Sequence, residues 1–276
     1  RPGWRDDRLR GAQLAAPGRR LPGEPRGSLL GVVDVGEVEQ RGPMPALSVI
    51  MTAHNTQPYV RQALRSVLRS SHRDFEVVFV DDGSTDRTGE VAKSAAARDP
   101  RVVFVDHPTR VGRREALDTA HALARGEFLT WVDSDDVVHE HAFRDCLAAI
   151  DEGHQLAYTW RRLIDFAGRD RGPHLKNEIA YSPMQLLVDN MIFHLRMFTR
   201  ELFERSEGIG QLQSAIDWDM NLRMTELTSP VEVRKFLYSY RVRPGRMSGS
   251  RSQRLNAETA VRAAILRRSL DVELVA

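Results

Sequence analysis

Cysteine, lysine and long apolar runs are what this chain has least of, and each shortage narrows the field. Its single cysteine, Cys146, rules out an internal disulfide, fits a reducing compartment and sits in the apolar pattern of "AFRDCLAAI" as a core position. The lysines are only Lys93, Lys176 and Lys235, so the basic side of the charge balance is arginine, a bias that reads as codon usage. The net charge of +2 offers neither a nucleic-acid footprint nor a general membrane patch. No run approaches the roughly 18 apolar residues of a membrane span. The expected location is cytoplasmic, with peripheral contact at the inner membrane face as the alternative. A dinucleotide site is set aside because no G-x-G-x-x-G occurs.

What is present divides unevenly. Residues 1–44 are rich in Arg, Pro and Gly without periodicity and read as a flexible arm; the chain opens on Arg1, with Met44 an alternative start. From residue 45 apolar strands alternate with amphipathic helices. "ALSVIMTAH", "FEVVFVDDG", "RVVFVDH" and "EFLTWVDSDD" are strands, and "YVRQALRSVLRS", "RTGEVAKSAAAR" and "REALDTAHALA" are helices. Continuous apolar strands between helices of this length predict right-handed βαβ units, hence an α/β fold with a mainly parallel sheet and helices on both faces. Further on, "QLAYTWRRLIDF" reads as a strand, "SPMQLLVDN" as a Ser-capped helix, and "GIGQLQ" as a mobile loop.

Open parallel sheets bind ligands beyond the carboxyl ends of their strands, where the strand order reverses. With the order 3-2-1-4, that place collects "TAHN" (Thr52, Ala53, His54, Asn55), "DDGSTD" from Asp81 and Asp82 onward, and "DSDD" (Asp133, Ser134, Asp135, Asp136). Carboxylates crowded at one strand end repel one another. A divalent cation, Mg²⁺ or Mn²⁺, bridging Asp135 and Asp133 to a diphosphate would relieve that repulsion, and Asp81 or Asp82 could accept from the N–H edge of a base. The bland reading of "DDGSTD" is a turn ending in an Asp helix cap.

These stretches resemble the family 2 glycosyltransferases of the GT-A fold, which move a sugar from a nucleotide-sugar to an acceptor with inversion. "LSVIMTAHN", "VVFVDDGSTDRT" and "GEFLTWVDSDD" carry the likeness, and "AIDWDMNLRM" and "YRVRPGRMSGS" extend it; the arm and the last helix lie outside it. The resemblance implies an inverting, metal-dependent transferase acting from a nucleoside-diphosphate sugar, a UDP-sugar foremost. It places Thr52, Ala53, His54, Asn55, Asp81 and Asp82 around the base, Asp133 and Ser134 at the ribose or metal, and Asp135 on the metal. Asp217 is implied as the general base, although the Glu that usually precedes it is Ile216 here; Asp219 is the second candidate, and a helix N-cap is Asp217's bland role. Arg241 and Arg243, with Arg246, are candidates for a diphosphate clamp or a solvated basic loop. The family's Ala-Arg-Asn is replaced by Ala116-Leu117-Asp118, with Arg113 or Arg114 as substitutes for the missing arginine. His194 borders the acceptor region or packs, and His139 and His141 lack further ligands at zinc spacing.

The implied division is a catalytic domain over 45–250, with its nucleotide-sugar half at 45–136 and its acceptor half at 137–250. Residues 251–276 follow as an amphipathic helix that packs on the domain, dimerises, or meets a membrane surface. Two other functions compete: a nucleotidyltransferase, which needs a basic Gly-rich loop that "AHNTQPYV" is not, and a silent nucleotide-sugar sensor. The sequence singles out no acceptor hydroxyl.

Overall fold

The computed structural model describes residues 43–151, 153–243 and 251–268. The arm up to residue 42, Arg246 with its neighbours, and residues 269–276 lie outside the described residues. One nine-stranded sheet organises the rest. Strands β1 (Leu47–Ala53), β2 (Phe75–Asp81), β3 (Val102–Asp106) and β4 (Phe128–Trp131) are all parallel and run in the order 3-2-1-4, as expected. The crossovers are α1 (Gln57–Leu68), α2 (Thr88–Ala96) and α3 (Arg113–Leu123).

Beyond β4 the parallel rule breaks. Strand β8 (Arg196–Thr199) inserts antiparallel between β4 and β6 (Leu156–Ile164), and β6 then pairs parallel with β9 (Val231–Arg241). Short strands β5 (Val137–Val138) and β7 (Asp170–Pro173) edge β9 and β6. The short "RMFT" segment of β8 showed no period of its own, and the sheet has recruited it by long-range pairing. Helices α4 (Ala142–Asp151), α5 (Pro183–Val188), α6 (Arg200–Arg205), α7 (Ile216–Met224) and α8 (Arg251–Arg267) complete the chain.

The period of two along each strand divides the core into two layers. Val49, Met51, Val77 and Phe79 point to one face with Val60, Leu64, Val67 and Phe143 of α1 and α4; Ile50, Val78, Val80 and Trp131 point to the other with Ala116, Leu117 and Met220 of α3 and α7. The Val60–Ala63–Leu64–Val67 stripe of α1 is fully buried, and each such Val or Leu contributes on the order of 1.5–3 kcal/mol relative to exposure. Ser182 caps α5 through its Oγ, which accepts from Gln185 N–H at 3.0 Å. Helix α8 lays the small residues Ala260 and Ala264 into the second layer, and Arg267 clasps Glu226 beyond the end of α7 at 2.9 Å. Among the described residues no helix is long and apolar enough to cross a membrane.

Candidate functional site

The loops after β1 and β2 are laced together before any ligand is considered. Asn55 adopts a left-handed φ of 53°, and its Oδ1 accepts from the backbone N–H of Thr85 at 2.8 Å. The backbone N–H of Asn55 in turn donates to Ser84 Oγ at 2.9 Å. Asp86 accepts from Gln57 N–H at the start of α1 and from Thr88 N–H at the start of α2, so its turn role is real and serves two helices at once. Gly83 has a φ of +62°, and a Cβ there would run into the backbone of Arg110, so only glycine fits.

Two adjacent aspartates have separate fates here. Asp82 borders a cavity of about 490 Å³ and accepts from Val111 N–H at 2.7 Å and Gly112 N–H at 3.1 Å. Asp81 does not border it; its carboxylate accepts from Ser84 Oγ under α2, and burial, with Asp106 and Asp86 nearby, raises its pKa against that hydrogen bond. The same cavity is lined by Thr52, Ala53, His54, Asn55, Asp133, Ser134, Asp135, Arg241 and Arg243, which the structure therefore brings together. His54 Nδ1 donates to the carbonyl of Asp82 at 2.8 Å, which fixes its ring against the cavity.

The aspartates after β4 do not rely on a cation to coexist. Asp133 Oδ1 accepts from Arg113 at 2.7 Å; burial alone would raise its pKa, but Arg113, then His194 and Arg196, hold it well below the usual carboxylate range. Asp135 Oδ2 pairs with Arg243 Nε at 2.5 Å. Asp136 is buried, accepts from Arg241 N–H at 2.7 Å, and is pushed well above the carboxylate range by burial and then by Asp133 and Asp135. Two arginines and one carboxyl shifted toward its neutral form relieve the run's repulsion. Repulsion is thus no argument for a metal.

Arg241 and Arg243, a pair in the sequence, also separate. Arg241 is 2% exposed and acts as a strut: its guanidinium donates to the carbonyls of Asp135 at 2.6 Å and Asp165 at 3.0 Å and to Gln62 Oε1 at 2.8 Å. With those donors engaged it shapes the cavity wall, whereas Arg243 presents its charge to Asp135 inside.

A second cavity, of about 600 Å³, opens beside the first and contains Asp217, Asn190, Trp218, Phe193, His194 and Arg161. Arg113, Asp133 and Tyr240 border both cavities and form the wall between them. Of the two arginine substitutes, Arg113 therefore reaches the site, while Arg114 turns to Asp118 and the carbonyl of Gly210. That last bond, with Arg223 donating to the Ser206 carbonyl, ties down the entry and the second glycine of the loop expected to be mobile.

Asp217 and Asp219 lie within the first turn of α7 and point to opposite fates. Ala215, in a left-handed conformation with a φ of 56°, is the N-cap, so Asp217 is not the cap. Its Oδ2 receives Asn190 Nδ2 at 3.3 Å, and Asn221 orients Asn190 by donating to its Oδ1 at 3.0 Å. Asp219 is buried in an ion pair with Arg223 at 2.9 Å and borders neither cavity.

Sequence reasoning missed Arg196 on β8. It is 0% exposed, its three guanidinium nitrogens have no hydrogen-bond partner among the described residues, and NH1 lies 3.9 Å from Asp217 Oδ2. Burial lowers its pKa, opposed by Asp217 and Asp133. His194 stacks on Tyr238 with its Nε2 at 3.6 Å from Asp133, and burial holds it in its neutral form, down to about 4. Nothing local in "FHLRMF" foretold a buried cation, because its counter-charges stand far away in sequence.

Among the described residues no three candidate ligands cluster as a ready-made metal cage. A donor set of one or two carboxylates completed by phosphate oxygens needs none. Asp133 and Asp135 fit that arrangement: both border the first cavity, and the Asp135 oxygen Oδ1 accepts no hydrogen bond among the described residues.

The glycosyl transferase family 2 model matches residues 48–206. The chondroitin synthase of Escherichia coli is 32% identical over 201 residues, which is 71% of this chain and 29% of that protein. The uncharacterized glycosyltransferase EpsJ of Bacillus subtilis (strain 168) is 26% identical over 220 residues, 72% of this chain and 58% of its own. The chain thus spans less than two thirds of these relatives' length. Among solved structures, S. aureus TarS 1-349 in complex with UDP-GlcNAc shares the fold with a TM-score of 0.67 at 21% identity, over 80% of this chain and 66% of that one. The mannosyltransferase PcManGT from Pyrobaculum calidifontis, in complex with GDP-Man and Mn²⁺, does so with a TM-score of 0.61 at 20% identity, over 82% and 65%. The motifs, the strand order and the family match agree: this chain belongs to glycosyl transferase family 2.

Proposed function

We propose that the chain is an inverting glycosyltransferase that moves a sugar from a nucleoside-diphosphate sugar, a UDP-sugar foremost, to an acceptor hydroxyl by single displacement. The observation that carries this reading is the pair of cavities sharing the Arg113–Asp133–Tyr240 wall, with Asp217 on the far side from Asp135. Residues 45–250 form the catalytic domain in this reading, and the packing of α8 on α7 supports an intramolecular role for the last helix.

The base and ribose occupy the cavity bounded by Thr52, Ala53, His54, Asn55 and Asp82. Asp133 and Ser134 border the ribose and sugar, and Arg243 faces the diphosphate, since a guanidinium suits phosphate oxygens. Asp135, with Asp133, would hold Mg²⁺ or Mn²⁺, which when bound offsets negative charge on the departing diphosphate. Arg113 holds Asp133 ionised at the wall where the sugar must pass. From the other side, Asp217 accepts the proton of the attacking hydroxyl. Asn190 aims its carboxylate, and the buried Arg196 guanidinium stands 3.9 Å from it without blocking it.

The test is thermal stability with UDP, TDP and GDP, each with and without Mn²⁺, for the wild type and Asp135→Asn. A ligand at about 100 times its Kd adds roughly 2.7 kcal/mol, visible as a melting shift. The expected result is a Mn²⁺-dependent shift with one nucleotide, lost in Asp135→Asn; no shift with any nucleotide would sink the reading.

A further inference from the structure

The acceptor cavity presents three cations, and two of them are neutralised. Arg113 is paired with Asp133 at 2.7 Å, and Lys176 with Asp189 at 2.5 Å. Arg161 is different. Among the described residues it has no carboxylate at ion-pair distance, and its buried Nε has no hydrogen-bond partner. Its guanidinium lies between two aromatic faces, 3.7 Å from the Phe193 ring centroid and 4.7 Å from that of Tyr240. Such rings attract the cation and hold its plane, yet accept none of its in-plane hydrogen bonds.

Its remaining polar neighbour sharpens the point. Arg161 NH2 is 3.1 Å from His174 Nε2. That contact engages one of the guanidinium's N–H groups and brings it no counter-charge. The β6–β9 register slips on both sides of Trp160, which sets where Arg161 faces. A rigid, partly desolvated guanidinium with no carboxylate at ion-pair distance is built for a planar or tetrahedral oxyanion. The donor's own diphosphate does not fill this place, because Arg161 borders the acceptor cavity and not the donor cavity.

We propose that Arg161 is the anion subsite of the acceptor cavity, and that the acceptor is an acidic saccharide whose carboxylate or phosphate pairs with this guanidinium while its hydroxyl meets Asp217. This deepens the transferase reading and rests on it.

The experiment is a calorimetric titration of the full chain, with and without UDP and Mn²⁺, using p-nitrophenyl β-D-glucuronide, p-nitrophenyl β-D-glucoside 6-phosphate and the neutral p-nitrophenyl β-D-glucoside. One acidic glycoside is expected to bind at least about tenfold tighter than the neutral one, the effect of a charge-assisted hydrogen bond, and which one does so tells carboxylate from phosphate. In Arg161→Gln the advantage should shrink below about twofold while UDP binding is unchanged. Equal binding of all three by the wild type, or an advantage that survives in Arg161→Gln, overturns the proposal. Should Arg161→Gln fail to fold, Arg161→Lys decides: it keeps the charge and loses the fork, so a reduced advantage supports the subsite and an undiminished one overturns it. Failure of UDP to bind the wild type would refute the donor site instead, and the titrations without UDP keep that outcome separate.

Discussion

The cavities proposed for donor and acceptor share a wall and differ in how they are made. The donor side is assembled from three strand ends and the turns that follow them, each a short contiguous motif whose members bond one another, as Asn55 does Thr85. The acceptor side takes single residues from β6, the segments around α5, β8 and α7, and the end of β9. One is a property of turns, the other a property of packing. The contrast is sharpest on α7, where two aspartates two residues apart become a cavity wall and a buried strut.

The largest effect that would test this contrast is on Asp217. Asp217→Asn should lower kcat by about 10³-fold with nucleotide binding unchanged, the usual worth of a positioned base; turnover within tenfold of wild type would move the base elsewhere. Asp219→Asn should do the reverse. It strands Arg223, whose side chain is 7% exposed, and removing one partner of a buried pair costs about 3–5 kcal/mol in denaturant unfolding. Any surviving folded protein should turn over normally.

Gly83→Ala comes next and probes the donor side. Its left-handed φ and the close Arg110 backbone predict a loss of about 1–3 kcal/mol and weaker nucleotide binding, because the Asp82 contacts to Val111 and Gly112 depend on that approach. Arg196→Met is a smaller change with a mixed sign. It should slow turnover by about tenfold through Asp217 while the melting temperature holds or rises, since an unbonded buried guanidinium gives way to an apolar chain of similar length. A drop in both would make Arg196 a purely structural cation. Smallest of all, Cys146 is 0% exposed with its thiol pushed up to about 12 by burial, so a thiol reagent should label it only as fast as the protein unfolds.

Legibility followed the same line as the cavities. Val77, Val78, Phe79 and Val80 announced a doubly covered strand, and Asp82–Gly83 announced a turn, because period and turn chemistry are local. The 3-2-1-4 order, taken as that of a mononucleotide-binding half, is the one the sheet adopts. The "DSDD" run read as a site for a cation, and the sequence did not announce that Arg113 and Arg243 pair with its aspartates. Those partners lie 20 and 108 residues from their aspartates, and spacing carries no trace of such pairs. Strand β8 was missed for a similar reason, since four residues show no period until β4 and β6 flank them.

What the sequence determined by itself is the parallel half of the sheet, the turns that end its strands, and the set of polar groups on that rim. Apolar periodicity selects strand or helix, and Gly, Asn and Asp select the turns within a few residues. What only the tertiary structure decided is which groups face a cavity and with which partners. Asp217 borders one and Asp219 does not, Asp82 does and Asp81 does not, Arg241 spends its donors on the wall while Arg243 meets Asp135, and Arg161 keeps a half-buried charge with no carboxylate at ion-pair distance among the described residues. Charges of one kind look alike in a sequence; burial and pairing make them different.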